Sequence, residues 1–350
     1  MSAMTMQASE TSRRSPSAGR LGFVLLAFAA LALYPVVAGS YGLDLITKIM
    51  IYAIFALSLE LLVGTTGLVC FGHAAFFGIG AYAAVLLSPE GEVASLAWLL
   101  PAAMLAAGVY ALAVGALSLR TQGVYFIMVT LAFAQMAYYV AHDTPLGGGT
   151  DGIYLYVKPS LAGLDLDRGP VMYGLTLAAL ALVFGFLALL LRSRFGRALA
   201  GIKANEQRMR ASGFPTYPYK LAAFVLSGML AGGAGFLFAV KDGYVNPELL
   251  SWHLSGAVLI MIILGGLGHL RGALIGAFAF ALLQEFWKSE AIFGAFAKHW
   301  QLGLGASIIA CVALLPHGLV SLTSRWARRT AHPTPPVAAG AEAHTEERPS

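Results

Sequence analysis

Chemistry in this chain has to come from a few polar side chains set in long apolar runs. Glu60 is the only acid well inside such a run. Intramembrane carboxylates are rare and usually functional, which points to a proton or cation site. Glu60 also lies near the end of its run, where a side chain can reach headgroups and water, and this second reading is the favoured one. His73 stands among Gly72, Phe76 and Phe77; it reads either as a group lining a polar path or as a hydrogen-bonded packing residue. Phe76 and Phe77 read as core or lipid-facing. Cys70 and Cys311 are far apart within apolar segments, so neither a metal site nor a disulfide framework is expected. No Gly-x-x-x-x-Gly-Lys-Ser/Thr, His-Glu-x-x-His or Gly-x-Ser-x-Gly pattern occurs. No catalytic residue is therefore assigned, and the chain is not expected to be an enzyme or to bind a cofactor.

The densest charge runs from Arg192 to Lys220. Residues 192 to 210 hold six Arg or Lys and one acid, Glu206. Positive charge beside membrane segments is retained in the cytoplasm, and a soluble partner can dock on such a loop. Residues 201 to 212 are expected to form a short surface helix, stopped by Gly213 as its C-terminal cap and by Pro215 beyond it.

These residues are positioned by a chain of 350 residues that is 58% hydrophobic and only 11% charged, with a mean hydropathy of +0.75. A soluble domain averages about 25% charged residues, so this composition describes a polytopic membrane protein. The net charge of +5 comes from loops beside membrane segments and forms no continuous face, so it is read as topology and no nucleic-acid partner is expected. The first apolar run, 21 to 39, exceeds the roughly 7 to 15 residues of a signal-peptide core and is taken as a membrane helix. A disordered basic leader (1–20) and a disordered Pro-rich tail (324–350) are expected to flank a membrane domain (21–323).

At about 20 apolar residues per crossing, the expected spans are 21–39, 44–63, 64–87, 97–119, 122–141, 171–191, 219–240, 252–267, 271–287 and 300–322. The expected fold class is all-α, with about ten transmembrane helices (roughly 8 to 11) and both termini cytoplasmic. That orientation puts 16 of the 22 basic residues on the cytoplasmic side: three in the leader, Arg120, seven from Arg192 to Lys220, Arg271 and four in the tail. The weak joints are the uncharged Gly64-Thr-Thr-Gly67 and the Gly-rich stretch from Gly265 to Gly272. Glycines four apart, at Gly228 and Gly232 and at Gly272 and Gly276, are expected to let helix backbones approach closely.

Three segments, taken in order, resemble one family. They are Gly64 to Tyr82, with its Gly72-His73-Ala-Ala-Phe-Phe-Gly78-Ile-Gly80 core; Thr121 to Gln135, with Gly123, Tyr125 and Thr130; and the basic segment. Together they resemble the LivM-type permease subunit of ABC importers for branched-chain amino acids, over about residues 45 to 320. The resemblance implies a multi-pass protein of the bacterial inner membrane, working with a second homologous permease, two cytoplasmic ATPases and a periplasmic binding protein. ATP would be bound by those partner subunits. It makes Arg197, Lys203, Asn205, Glu206, Arg208 and Gly213, within a coupling loop at 192–218, the ATPase-coupling residues. It makes Gly72, His73 and Gln135 candidates for the translocation path, where a zwitterion needs polar groups or backbone dipoles between apolar walls. The outer stretch from Gly147 to Gly152 resembles a Gly-rich region of the family and reads either as part of a docking surface or as a plain turn.

The chain departs from the family pattern at Glu60, where a neutral polar residue, often Asn, is expected, and at His269 and Arg271, where small or apolar residues are usual. A sibling importer for urea, short amides or aromatic acids is the alternative reading. An ion-coupled secondary transporter is a rival that rests on Glu60.

Overall fold

No water reaches the backbone inside a bilayer, so an apolar run must satisfy its own N–H and C=O groups, and these runs do so as helices. The structure, a computed structural model, describes residues 18–37, 39–89, 93–160, 166–315 and 318–321. Most of the expected leader (1–17) and the whole of the expected tail (324–350) lie outside the described residues.

The first half contains α1 (Ala18–Val37), α2 (Ser40–Glu60, continued by a π turn over Leu61–Thr66), α3 (His73–Leu86), α4 (Leu96–Ser118), α5 (Val124–Asp143) and α6 (Gly169–Arg192). The second contains α7 (Arg194–Ala204), α8 (Glu206–Ala211), α9 (Thr216–Asp242), α10 (Trp252–Gly265), α11 (Leu270–Lys288), α12 (Glu290–Phe293) and α13 (Trp300–Leu314). Two short strands, β1 (Ile153–Tyr154) and β2 (Tyr244–Val245), pair antiparallel with Ile153 opposite Val245. The stretch 147–152 leads into β1 through two short 3₁₀ segments.

Among the described residues, six helices are long and apolar enough to cross a bilayer: α2 with its π turn, α4, α5, α6, α9 and α11. The chain is a polytopic membrane protein. One expected span is not a continuous helix. Residues 64–87 do not form a single helix, because Gly67 closes the π turn in a left-handed conformation (φ 76°) and Gly67 to Gly72 run without helical structure. Helix α3 has 14 residues, about 21 Å at 1.5 Å per residue, against a bilayer core of about 30 Å. Unbroken hydropathy made two different conformations look like one.

Helices α2 and α9 form the centre: 83% and 78% of their apolar windows are buried, against 17% to 39% for the other four long helices. Helix α3 packs directly on α9. A Cβ at Gly80 would overlap the Gly232 carbonyl, and one at Gly235 would overlap that of Phe77, so this contact is backbone on backbone. The expected spacing of Gly228 and Gly232 serves a second contact, against Ala111 and Ala107 of α4. Helices α10 and α11 meet the same way, with Gly265 against the Gly272 carbonyl and Gly276 against that of Met261. Phe76 and Phe77 are buried in the core. At the opposite end from the basic segment, Lys241 of α9 pairs with Asp44 of α2 at 2.8 Å, and the Tyr41 hydroxyl donates to Glu285 of α11.

Candidate functional site

The basic segment folds as two short helices set at an angle. Ser193 caps α7, its Oγ accepting from the Gly196 N–H at 3.4 Å, and one face of α7 (Ala198, Leu199 and Ile202) is buried while Arg194 and Arg197 are exposed. The buried face rests on α6, the π turn and α9. The expected single helix over 201–212 is broken at Asn205, whose extended backbone (φ −165°) ends α7 and whose Oδ1 accepts from the Arg208 N–H at 2.9 Å to start α8. An Asn that caps a helix start competes with continuing the previous helix, and here it wins.

The expected stop is where the sequence put it. Gly213 takes φ 76°, its N–H donates to the Arg210 carbonyl at 2.9 Å, and the Phe214 N–H donates to that of Met209 at 3.0 Å. These paired bonds close α8 with a Schellman motif.

Four of the five polar side chains expected to couple are engaged within the chain. Glu206 receives Lys220 at 2.7 Å, Arg210 at 2.6 Å and the Thr216 hydroxyl at 3.2 Å, which fixes α8 on the start of α9. Partial burial opposes its charge, but Lys220, by hydrogen bond and charge, together with Arg210, holds the Glu206 carboxyl below the ordinary carboxylate range. Asn205 is the cap, and Arg197 donates to the Arg192 carbonyl at 3.1 Å. Lys203 reaches into the membrane domain and donates to the Gly64 carbonyl at 2.6 Å. Arg208 is exposed, and its guanidinium has no partner among the described residues.

Above Lys203, Glu60 is 1% exposed, so it does not reach headgroups or water as expected. Its Oε1 accepts from the Gly268 N–H at 2.6 Å, in the bend between α10 and α11. Its carboxyl covers Gly64 so closely that a Cβ there would overlap it. The sequence carried two hints of this pairing, an acid at residue 60 and an unusual Gly-rich bend before Arg271. Their separation of 208 positions hid the link.

Of the path candidates, Gly72 and His73 are neighbours and both are enclosed. A Cβ at Gly72 would overlap the Thr130 carbonyl of α5. His73 is 0% exposed, and its Nε2 lies 2.8 Å from the Ser58 hydroxyl. The Ala74 N–H donates to Ser255 of α10 at 2.9 Å, so three helices meet where α3 begins. Gln135 is not brought to them. Five residues beyond Thr130, about 140° round α5, it lines an open groove with Ala132, Met136, Tyr139, Val140 and Thr144.

Residues 41–312 match the family described as branched-chain amino acid transport system / permease component. The chain is 30% identical to the high-affinity branched-chain amino acid transport permease LivM of Escherichia coli over 329 residues, covering 87% of this chain and 75% of that protein. It is 29% identical to LivM of Salmonella typhimurium, over 85% and 75% of the two chains. A shorter match of 109 residues, also 30% identical, is to the Escherichia coli xylose transport permease XylH and covers 30% of this chain and 28% of that one. The chain belongs to the permease-component family of branched-chain amino acid transport systems.

Proposed function

We propose that this chain is one membrane-spanning half of an ATP-driven importer in a bacterial inner membrane, passing branched-chain or other apolar amino acids. The observation that carries this is the match to LivM over 87% of the chain, which greatly exceeds the 30% reach of the match to the xylose permease. In this reading a second homologous permease completes the path, two ATPase subunits act from the cytoplasm, and a periplasmic binding protein delivers substrate.

The chain crosses ten times, with both termini cytoplasmic. Contacts between helix ends support this count. The π turn at the end of α2 lies with α7 and with the α10–α11 bend, whereas the start of α2 lies with the ends of α9 and α11. On that arrangement α3 and residues 67–72 make one crossing together, the short α10 makes another, and α1 and α13 complete the count.

Helices α7 and α8 form the cytoplasmic surface on which an ATPase docks, with the exposed Arg208, whose guanidinium has no partner among the described residues, as one cation that meets it. The ion-coupled transporter rests on Glu60 alone, whereas the importer reading rests on the match over 87% of the chain. The test is uptake of leucine into proteoliposomes holding the whole complex. Uptake is expected to require ATP on the ATPase side and to stop when the ATPase is inactivated, and transport driven by a proton gradient alone overturns the reading.

A further inference from the structure

One point in the fold joins four separate pieces of chain. The cytoplasmic end of α2 unwinds into a π turn, a feature found often at functional sites, and Gly64 lies within it. Carbonyls at a helix end lack intrahelical donors and carry partial negative charge, which a cation satisfies. The ammonium of Lys203, from α7, fills that role at 2.6 Å from the Gly64 oxygen. One turn back, Glu60 points its carboxylate at the opposite kind of helix end. The Gly268 N–H that it accepts lies two residues before α11 begins, where partial positive charge favours an anion. The segment after α13 rests on the same bend, the Leu319 N–H donating to the Leu264 carbonyl at 3.0 Å.

Most other bonds from the cytoplasmic helices end near the surface. Glu206 and Arg210 tie α8 to the first residues of α9, and Arg197 bonds the end of α6. Lys203 instead grips the π turn, and everything beyond that turn is irregular until α3 begins at His73. A displacement of α7 therefore acts on Gly64 as well as on α6 and α9, and from Gly64 it passes to the non-helical Gly67–Gly72 segment in one direction and to the α10–α11 bend, through Glu60, in the other.

We infer that Lys203 and Glu60 are positioning residues of transport, the two links through which motion of the docked cytoplasmic helices reaches the broken helices of the membrane domain. The inference rests on the docking role proposed for α7 and α8 but concerns a later step, the transmission of force after docking. A static staple would hold the same atoms together, and the two differ in how much substrate moves per ATP.

The experiment uses the complete complex in proteoliposomes, measuring substrate transported per ATP hydrolysed and the ATPase retained on purification. Lys203→Met and Glu60→Leu are expected to retain the ATPase but to move at least about tenfold less substrate per ATP, as loss of one charge-assisted hydrogen bond implies. Glu60→Gln still accepts from Gly268 and is expected to stay within about twofold of wild type. An unchanged ratio in Lys203→Met overturns the relay and leaves docking intact. Loss of the ATPase from Lys203→Met also overturns it, because Lys203 then belongs to the docking surface, whereas Arg208→Glu tests that surface by itself. A large loss in Glu60→Gln with the ATPase retained overturns the role of Glu60, since charge and not the hydrogen bond would be its function. A second measurement leaves both links intact: spin labels on Thr65→Cys and Ala204→Cys, in a Cys311→Ser background, should keep one separation in nucleotide-free and ATP-trapped complexes. A change in that distance overturns the relay.

Discussion

The Nε2 of His73 lies 2.8 Å from the Oγ of Ser58, and that hydroxyl also donates to the Phe55 carbonyl at 2.7 Å. With the Ser58 proton committed, the imidazole must donate from Nε2, which leaves Nδ1 as the unprotonated nitrogen, buried and without a partner among the described residues. The ring stacks on Phe55 with centroids 5.4 Å apart and meets Phe76 edge-on at 5.6 Å. His73→Ala removes this packing and the hydrogen bond together. It should lower stability in detergent by about 2–4 kcal/mol, read as thermal unfolding of the purified permease. Substrate binding by the separate binding protein should not change, and a variant that melts with the wild type would show that the ring is not part of the core.

Contact between α3 and α9 depends on two missing side chains. Gly235 faces the Phe77 carbonyl, and neither backbone can retreat without moving a central helix. Gly235→Ala should therefore cost at least about 1–3 kcal/mol, as overpacking of a tight core does, with a lower melting temperature and poorer yield. Gly185→Ala, on α6 with nothing within 4 Å, is the control and should be neutral or slightly stabilising.

Helical class, membrane location and most span positions were legible because apolar length is a strong signal that does not depend on tertiary contacts. The end of α8 was legible for a different reason: Gly213 followed by Pro215 is local turn chemistry. What escaped depended on distant partners or on competition between local options. Gly64 to Leu86 carries no Asp, Glu, Lys or Arg to mark a break, yet Gly67 turns left-handed and Thr130 of α5 presses on Gly72. Asn205 was counted as one polar residue within a helix, although its side chain caps the next one. Glu60 was assigned to the water interface because its partner, Gly268, lies 208 residues away.

Orientation can be read by thiol labelling in intact cells. Asp165 and Glu90, natural choices from sequence for outer positions, lie outside the described residues. Tyr156 is 91% exposed, on the loop between β1 and α6, and replaces them. In a Cys311→Ser background, Tyr156→Cys should react with a membrane-impermeant reagent and Arg208→Cys should react only after lysis. Cys70 is fully buried and should stay silent. Labelling of Arg208→Cys from outside would invert the proposed topology.

The tie between α8 and α9 should depend on pH with a definite sign. Lys220 and Arg210 hold Glu206 below the ordinary carboxylate range, so the folded loop favours the ionised form more than an unfolded one does. Its contribution is fully present above the unfolded-state value and is lost as pH falls through the depressed folded value. Hydrogen exchange of α8 amides, corrected for intrinsic rates, should rise as the pH drops through that acid window. In Glu206→Gln this step should be missing, with α8 looser at neutral pH. A wild-type loop whose protection does not change across the acid range would remove Glu206 as the clasp.

The segment proposed to dock the ATPase allows backbone and charge effects to be separated. Gly213 has open space around it, so a side chain there clashes with nothing and only its φ of 76° resists substitution. A β-branched residue held in that conformation costs upward of about 1–2 kcal/mol, enough to unwind a six-residue helix from its end. Gly213→Val should therefore leave the permease inserted but reduce ATPase co-purification and substrate-stimulated hydrolysis, whereas Gly213→Asn, which tolerates left-handed backbone, should largely restore both. Arg208→Glu acts through another route, because its backbone still starts and ends α8 while its free guanidinium becomes an anion facing the partner. Its defect should come mainly from lost steering and repulsion, and should shrink as added salt screens the repulsion; that of Gly213→Val should not. If Arg208→Glu assembles and transports like the wild type at low salt, the basic charge of this segment serves membrane topology alone, and the docking surface lies elsewhere.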